Sequence, residues 1–357
     1  MPDLPIDPRK IKTWESSPKG KGYTTKQIID LYSKGYAGAS FSPEAKERFL
    51  GKCSIPRGED LCRAFRYEES GKGQLIVLSH FIEQAYPDCL PGGGQVEGDC
   101  VSWSDRNSLL ANVVMDFYSG IPDEVSGKLE ILPKVSEKAR KNGVFSTEAC
   151  YAFRSTKPGH GWFCHESAEV GQTKAGLVLR MDYSHIEGGI NLEVYNSKTV
   201  NHWNRKNPTR QLVDVWDDHL VRDATEIETF EALRDMLFRG FGIHTCGSES
   251  FALTRDEHGV CKRTSGGWAH AMAFLGCDDR PWAHRKYGGP LILVQNSWKE
   301  YLKGPREIYD PPVPGMRIPP GSFWARWKDV ARRVLIARSG ANGWQRKPLP
   351  DYSTGIL

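Results

Sequence analysis

The chain has 357 residues, 39% hydrophobic and 26% charged, with a formal net charge of +4; this balance argues against a disordered polymer and gives no electrostatic case for nucleic acid. The length suffices for one large core or two packed lobes. No window approaches eighteen uninterrupted apolar residues, and the start, Met1-Pro2-Asp3-Leu4-Pro5-Ile6-Asp7, lacks a basic-then-apolar pattern, so neither a membrane span nor a secretory leader is expected and the setting reads as cytoplasmic.

Residues 1–90 read as an N-terminal extension. Its first part is basic, with Arg9, Lys10, Lys12, Lys19, Lys21 and Lys26, in the manner of a solvated arm. Two short helices are predicted there, Thr25 to Lys34 and Pro43 to Leu50, the second capped by Ser42. Leu75 to Leu78 reads as a strand or extended segment. From Cys100 to the Tyr118-Ser119-Gly120 break, Trp103, Leu109, Leu110, Val113, Val114 and Phe117 recur at helical spacing, with Asp99 as the N-cap. Further helices are predicted at Val135 to Lys141 and Ser146 to Phe153, giving a helical lobe over about 91–185. In the polar, aromatic stretch Asn191 to Asp218, Trp203 and Trp216 are expected to cover apolar surface. Thr225-Glu226-Ile227-Glu228 matches a capping box, with Ile227, Phe230, Leu233 and Leu237 on one face and a stop at Gly240.

Beyond Gly240 the pattern turns to β. Phe251 to Thr254 and Val260 to Lys262 read as a hairpin, and Trp268 to Leu275 and Leu291 to Val294 as buried strands. Asp278 to Gly289 reads as an enlarged loop between the last two. The fold class is therefore α+β, with a helical lobe facing a β-rich lobe over about 186–345, followed by a C-terminal tail, 346–357.

Three polar side chains stand in contexts that suit nucleophilic catalysis. Cys100 lies in the first turn of its helix, where unpaired N–H groups and the dipole favour a thiolate. His270 sits in an apolar strand that would hold its ring rigidly. Asn296 closes the next apolar run, and from a strand end its amide can accept from one imidazole nitrogen and fix the tautomer. Trp298 is placed to shield that bond from water. Gln95, in the approach Gly92-Gly93-Gly94-Gln95-Val96-Glu97-Gly98, can donate to an oxyanion beside the Cys100 N–H.

Other chemistries find no support. None of the Gly-Lys pairs is followed by Ser or Thr, and His165-Glu166 lacks a second histidine, so neither a phosphate loop nor a zincin helix is expected. The nine cysteines form an odd set without a CxxC pair and read as mostly reduced thiols. Cys164-His165 offers only two adjacent ligands, so no metal and no cofactor is expected.

The segments Gly98-Asp99-Cys100-Val101-Ser102, Trp268-Ala269-His270 and Val294-Gln295-Asn296-Ser297-Trp298 resemble those of papain-like cysteine peptidases, specifically the divergent phage and bacterial members. The resemblance spans about Gly92 to Trp327 but is concentrated in these short motifs. It implies a two-lobed papain-like fold over 91–345, Cys100 as nucleophile, His270 as general base and acid, Asn296 as orienting residue and Gln95 in the oxyanion hole. It further implies a polypeptide substrate, and residues 1–90 stand where a papain precursor keeps its pro-region. They lack the long heptad-like helix of such pro-regions, so they read as a permanent extension.

The chain also departs from the family pattern. Gln95 precedes the cysteine by five positions instead of the usual six, and Glu97 replaces a disulfide-forming cysteine. His270 and Asn296 lie 170 and 196 positions after Cys100, beyond the usual separation of about 130–150, so insertions are expected. Specificity candidates are Ser248, Glu249 and Ser250. The alternative function is a papain-fold structural protein, such as a phage virion component contacting other virion proteins. There, Pro312 to Pro320 and the N-terminal extension would mask the cleft or bind a partner.

Overall fold

A computed structural model describes Ala39–Ser40 and residues 71–92, 94–118, 135–307 and 316–338. The helices predicted at Thr25 to Lys34 and Pro43 to Leu50, Gly93, Pro312 and the tail 346–357 lie outside the described residues. The strands are β1 (Ala39–Ser40), β2 (Leu75–Val77), β3 (Trp162–Phe163), β4 (Ala224–Ile227), β5 (Ile243–Phe251), β6 (Arg263–Asp278), β7 (Leu291–Gln295), β8 (Ser322–Arg326) and β9 (Val334–Arg338). The α-helices are α1 (Leu78–Ala85), α2 (Cys100–Tyr118), α3 (Glu137–Arg140), α4 (Thr147–Tyr151), α5 (Cys164–Thr173), α6 (Ser197–Asn201), α7 (Arg210–Trp216), α8 (Phe230–Phe238), α9 (Pro281–Tyr287) and α10 (Trp327–Val330).

The main sheet is antiparallel, in the order β4-β9-β5-β6-β7-β8, with β2 also paired to β6. The long strand β6 is its spine. β5 runs beside its first part as far as Phe274, and β2 takes over the pairing from Gly276 to Asp278. Gly276 is required there, because a Cβ would come within 2.3 Å of the Ile76 carbonyl oxygen. The chain just before α2 is thus built into the sheet, within the stretch expected as an N-terminal extension. The structure is α+β, as the residue patterns predicted.

Helix α2 packs against β5 and β6 and is buried on nearly every side, its polar face included. That polar face is satisfied by its neighbours. Asp105 pairs with the buried Arg338, and Arg106 donates to the Ala175 carbonyl at 3.0 Å. Asn112 donates to the Arg338 carbonyl at 2.7 Å and accepts from Gly242 N–H at 2.8 Å. Burying Asp105, Arg106 and Asn112 is tolerable because each of the three has such partners.

Several sequence expectations need correction. The Thr225–Glu228 capping box does not start a helix: Ala224 to Ile227 pair with β9, and Thr229 caps α8 instead, accepting from Ala232 N–H at 3.2 Å. A free sheet edge claimed those backbone groups ahead of the local cap. The loop Asp278 to Gly289 contains α9, which starts at Pro281 and ends at Gly288 in the left-handed conformation, φ 73°, as helix-start prolines and terminal glycines do. The extended segment at Leu75 continues directly into α1. The hairpin expected from Phe251 to Lys262 is instead made by β5, which ends at Phe251, and β6, which begins at Arg263, so the predicted strand residues Ala252 to Thr254 and Val260 to Lys262 lie in the connection between them. Trp203 and Trp216 are buried and meet edge to face at 5.4 Å.

Not all thiols are reduced: Cys164 at the start of α5 forms a disulfide with Cys246 on β5, whereas Cys89, Cys100, Cys150, Cys261 and Cys277 are buried and outside any disulfide. Among the described residues, no helix is long and apolar enough to cross a membrane.

Candidate active site

Cys100 is the first residue of α2. Asp99 stands before it, and its carbonyl accepts from Trp103 N–H at 3.2 Å, the first bond of the helix. The Asp99 carboxyl faces sideways, accepting from Tyr195 Oη at 2.8 Å. Burial pushes this carboxyl up to about 7. One turn into α2, Ser104 donates to the carbonyl of Met272 at 2.5 Å. The helix start is thereby held against the stretch of β6 that carries His270, two residues earlier.

His270 is fully buried, and its Nε2 lies 2.7 Å from Asn296 Oδ1. The amide orientation follows from its other bonds. Ser297 N–H also donates to Oδ1, at 2.7 Å, while Asn296 Nδ2 donates to Tyr301 Oη at 2.9 Å. Nε2 is therefore the donor to Oδ1, and Nδ1 is the nitrogen on which a proton can be gained and lost. Trp298 stacks on the imidazole with centroids 4.6 Å apart and planes at 22°, and Trp268 and Tyr301 pack on Trp298 in turn. Burial pushes the imidazole down to about 3, a shift that the Asn296 bond opposes and the charge of Arg333 reinforces.

Gln95 is buried and tied to the turn after Asn296. Its N–H donates to the Ser297 carbonyl at 2.8 Å, its Oε1 accepts from Ser297 Oγ at 2.6 Å, and its Nε2 donates to the Glu97 carbonyl at 2.5 Å. An amide nitrogen carries two hydrogens, so this loop bond does not exhaust its donor capacity. Glu97, at the position where the resemblance would place a disulfide cysteine, is fully buried with Oε2 3.8 Å from His160 Nδ1. Burial, and then the charge of Asp99, pushes its carboxyl up to about 8. The same two loops are joined through Tyr151, whose hydroxyl donates to the Gly98 carbonyl at 3.2 Å and accepts from Gly161 N–H at 3.1 Å.

Sequence reasoning missed Arg333, Tyr301, Tyr195 and His244. Arg333 is the second of two adjacent arginines before an apolar strand, and Tyr301 follows Asn296 across a turn; neither belongs to a periodic pattern. His244 is buried between two helices, with Nδ1 2.7 Å from Ser104 Oγ and Nε2 3.1 Å from Ser167 Oγ. Burial pushes it down to about 4. Cys164, His244 and Cys246 converge, a group that adjacent spacing could not reveal. The two sulfurs bond each other and the imidazole is engaged by the serines, so in this state the group is a covalent tie. Of the specificity candidates, Ser248 is exposed, whereas Ser250 and Glu249 are buried, with Glu249 paired to Arg333 at 3.1 Å.

No protein-family model and no curated protein matches the chain. Among solved structures it is similar to xylellain, a cysteine protease from Xylella fastidiosa, at 10% identity over 81% of this chain and 91% of that one, with a TM-score of 0.45. It is similar to the proform of the Amb a 11 cysteine protease, a ragweed pollen allergen, at 14% identity over 89% and 77%, TM-score 0.45. A third is procathepsin B from Trypanosoma congolense, at 13% identity over 92% and 93%, TM-score 0.44. At such identities and TM-scores the likeness carries no residue roles to this chain.

Proposed function

We propose that the chain is a papain-like cysteine peptidase. The observation that carries this reading is the 2.7 Å bond from His270 Nε2 to Asn296 Oδ1. It lies under the Trp298 ring, beside a helix that begins at a cysteine outside any disulfide. Cys100 sulfur attacks a peptide carbonyl carbon, forming a C–S bond while its proton passes to His270 Nδ1. The oxyanion is held by the Cys100 N–H and the Gln95 amide. His270 returns the proton to the amine as the C–N bond breaks, then takes one from water, whose oxygen displaces the sulfur and releases the acid. Asn296 fixes the tautomer throughout.

On this reading residues 91–345 form the catalytic domain, with the helical part carrying the thiol and the sheet carrying base and orienter. Cys100 is fully buried, and β1, from the N-terminal extension, pairs in parallel with β3 and runs beside β5 and β6. That burial favours a second reading, a papain-fold structural protein whose site is not used.

A peptidyl epoxide offered to the full chain, before and after limited proteolysis, separates the two. The peptidase should be labelled at Cys100 in at least one state, and Cys100→Ala should abolish both label and peptide hydrolysis. No label in either state of a folded protein supports the structural reading.

A further inference from the structure

Arg333 is wholly buried beside the proposed site, and all three arms of its guanidinium are assigned. Nε donates to Thr245 Oγ1 at 2.9 Å, one terminal nitrogen donates to Glu249 Oε2 at 3.1 Å, and the other donates to the backbone carbonyl of His270 at 2.5 Å. The side chain lies flat across β5, and the sequence makes room for it. Gly247 is the residue paired with His270 across the ladder, and a Cβ there would come within 2.4 Å of Glu249 Oε2 and 2.7 Å of Arg333 Cγ and Cζ. Paired residues share a sheet face, so the guanidinium shares the face of the imidazole. Its charge also acts on Cys100.

We propose that Arg333 is a positioning residue for the Cys100–His270 pair: it anchors the His270 carbonyl and sets a fixed positive charge that favours the thiolate and disfavours the imidazolium. This rests on the peptidase reading. A fixed cation moves both titrations in the same direction, so the pair works at lower pH than the imidazole and thiol would reach unaided. The other charged or titratable groups around the pair are Asp99, which precedes Cys100 and acts on Glu97, Tyr151 on α4, Tyr301 on the Asn296 amide and Glu249 on β5. Of these, Glu249 is the one in direct contact with Arg333, and it partly offsets the cation. Removing it alone should strengthen the effect, whereas removing both partners should abolish it.

The experiment is the pH profile of Cys100 alkylation by iodoacetamide, read site by site by mass spectrometry on the full chain, which requires no peptide substrate. In Arg333→Met/Glu249→Gln the profile should move to higher pH by about one unit, slowing alkylation at pH 5 about tenfold. In Glu249→Gln it should move the opposite way. Arg333→Lys keeps the charge and should hold the profile near its original position. A merely structural role would change amplitude in all three without moving the midpoint.

Midpoints that coincide across the variants overturn the proposal while leaving the peptidase reading intact. A wild-type Cys100 no more reactive at pH 5 than a free thiol both before and after limited proteolysis overturns the peptidase reading itself, and the proposal with it. Should the double variant fail to fold, the opposite shift in Glu249→Gln decides the matter.

Discussion

The thiol end and the imidazole end of the site are supported by opposite physical means. Cys100 begins a helix that buries polar as well as apolar residues, its polar ones held by the Asp105–Arg338 pair and by Asn112 spanning to β9. His270 and Asn296 emerge instead from strands of buried aliphatic residues, roofed by Trp268, Trp298 and Tyr301. The helical side gains directionality from hydrogen bonds but is vulnerable wherever one partner is removed. The sheet side relies more on non-directional burial around the ring, with the buried Arg333–Glu249 pair bringing charge in at the His270 carbonyl.

The sharpest test of this contrast breaks the helix's buried ion pair. Asp105→Ala leaves Arg338 charged and buried and should cost about 3–5 kcal/mol in urea unfolding. If Asp105→Ala costs no more than an exposed substitution, the helix is not held by that pair. Next in size is the Cys164–Cys246 tie, which closes a loop with a sequence separation of 82 between α5 and β5. Its reduction should lower stability by about 2–4 kcal/mol, measured as unfolding with and without reductant. An unchanged midpoint would mean that the non-covalent contacts across the seam already suffice.

The pH dependence is the most discriminating test, because the two ends should respond with opposite sign. Folded Glu97 keeps its proton up to about 8, whereas the unfolded chain releases it above 4.5, so this group's stabilisation is full below 4.5 and is lost as pH rises towards 8. Folded His270 stays neutral down to about 3, while the unfolded imidazole protonates below 6.5; its contribution is full above 6.5 and is lost as pH falls towards 3. Glu97→Gln should therefore flatten the alkaline fall of the stability profile, and His270→Gln should flatten part of the acid fall. Equal effects on both limbs would erase the distinction between the two ends.

What was legible in the sequence was local. The Cys100 helix begins and ends where its apolar spacing and the following Ser-Gly break place it, and β7 ends one residue before Asn296 as its run of Leu, Ile and Val implies. Where neighbouring residues offered two solutions, remote partners chose: Thr225–Glu228 has helix-start chemistry but became a strand because β9 needed an antiparallel neighbour. The polar face of α2 carries no local sign of its partners, and only Arg338 and Gly242, brought in from far along the chain, show why it is buried.

The order of thiol, imidazole and amide, and the helix and strand contexts that suit each, were determined by the sequence alone, because helix periods and strand runs are encoded within about ten residues. The tertiary structure decided what surrounds them: Tyr301 on the Asn296 amide, Trp298 over the ring, His160 opposite Glu97 and Arg333 beneath His270. These partners are up to 63 residues apart in the chain. Separations of that length leave no periodic trace, and only the folding of the sheet against the helix brings such groups within hydrogen-bonding reach.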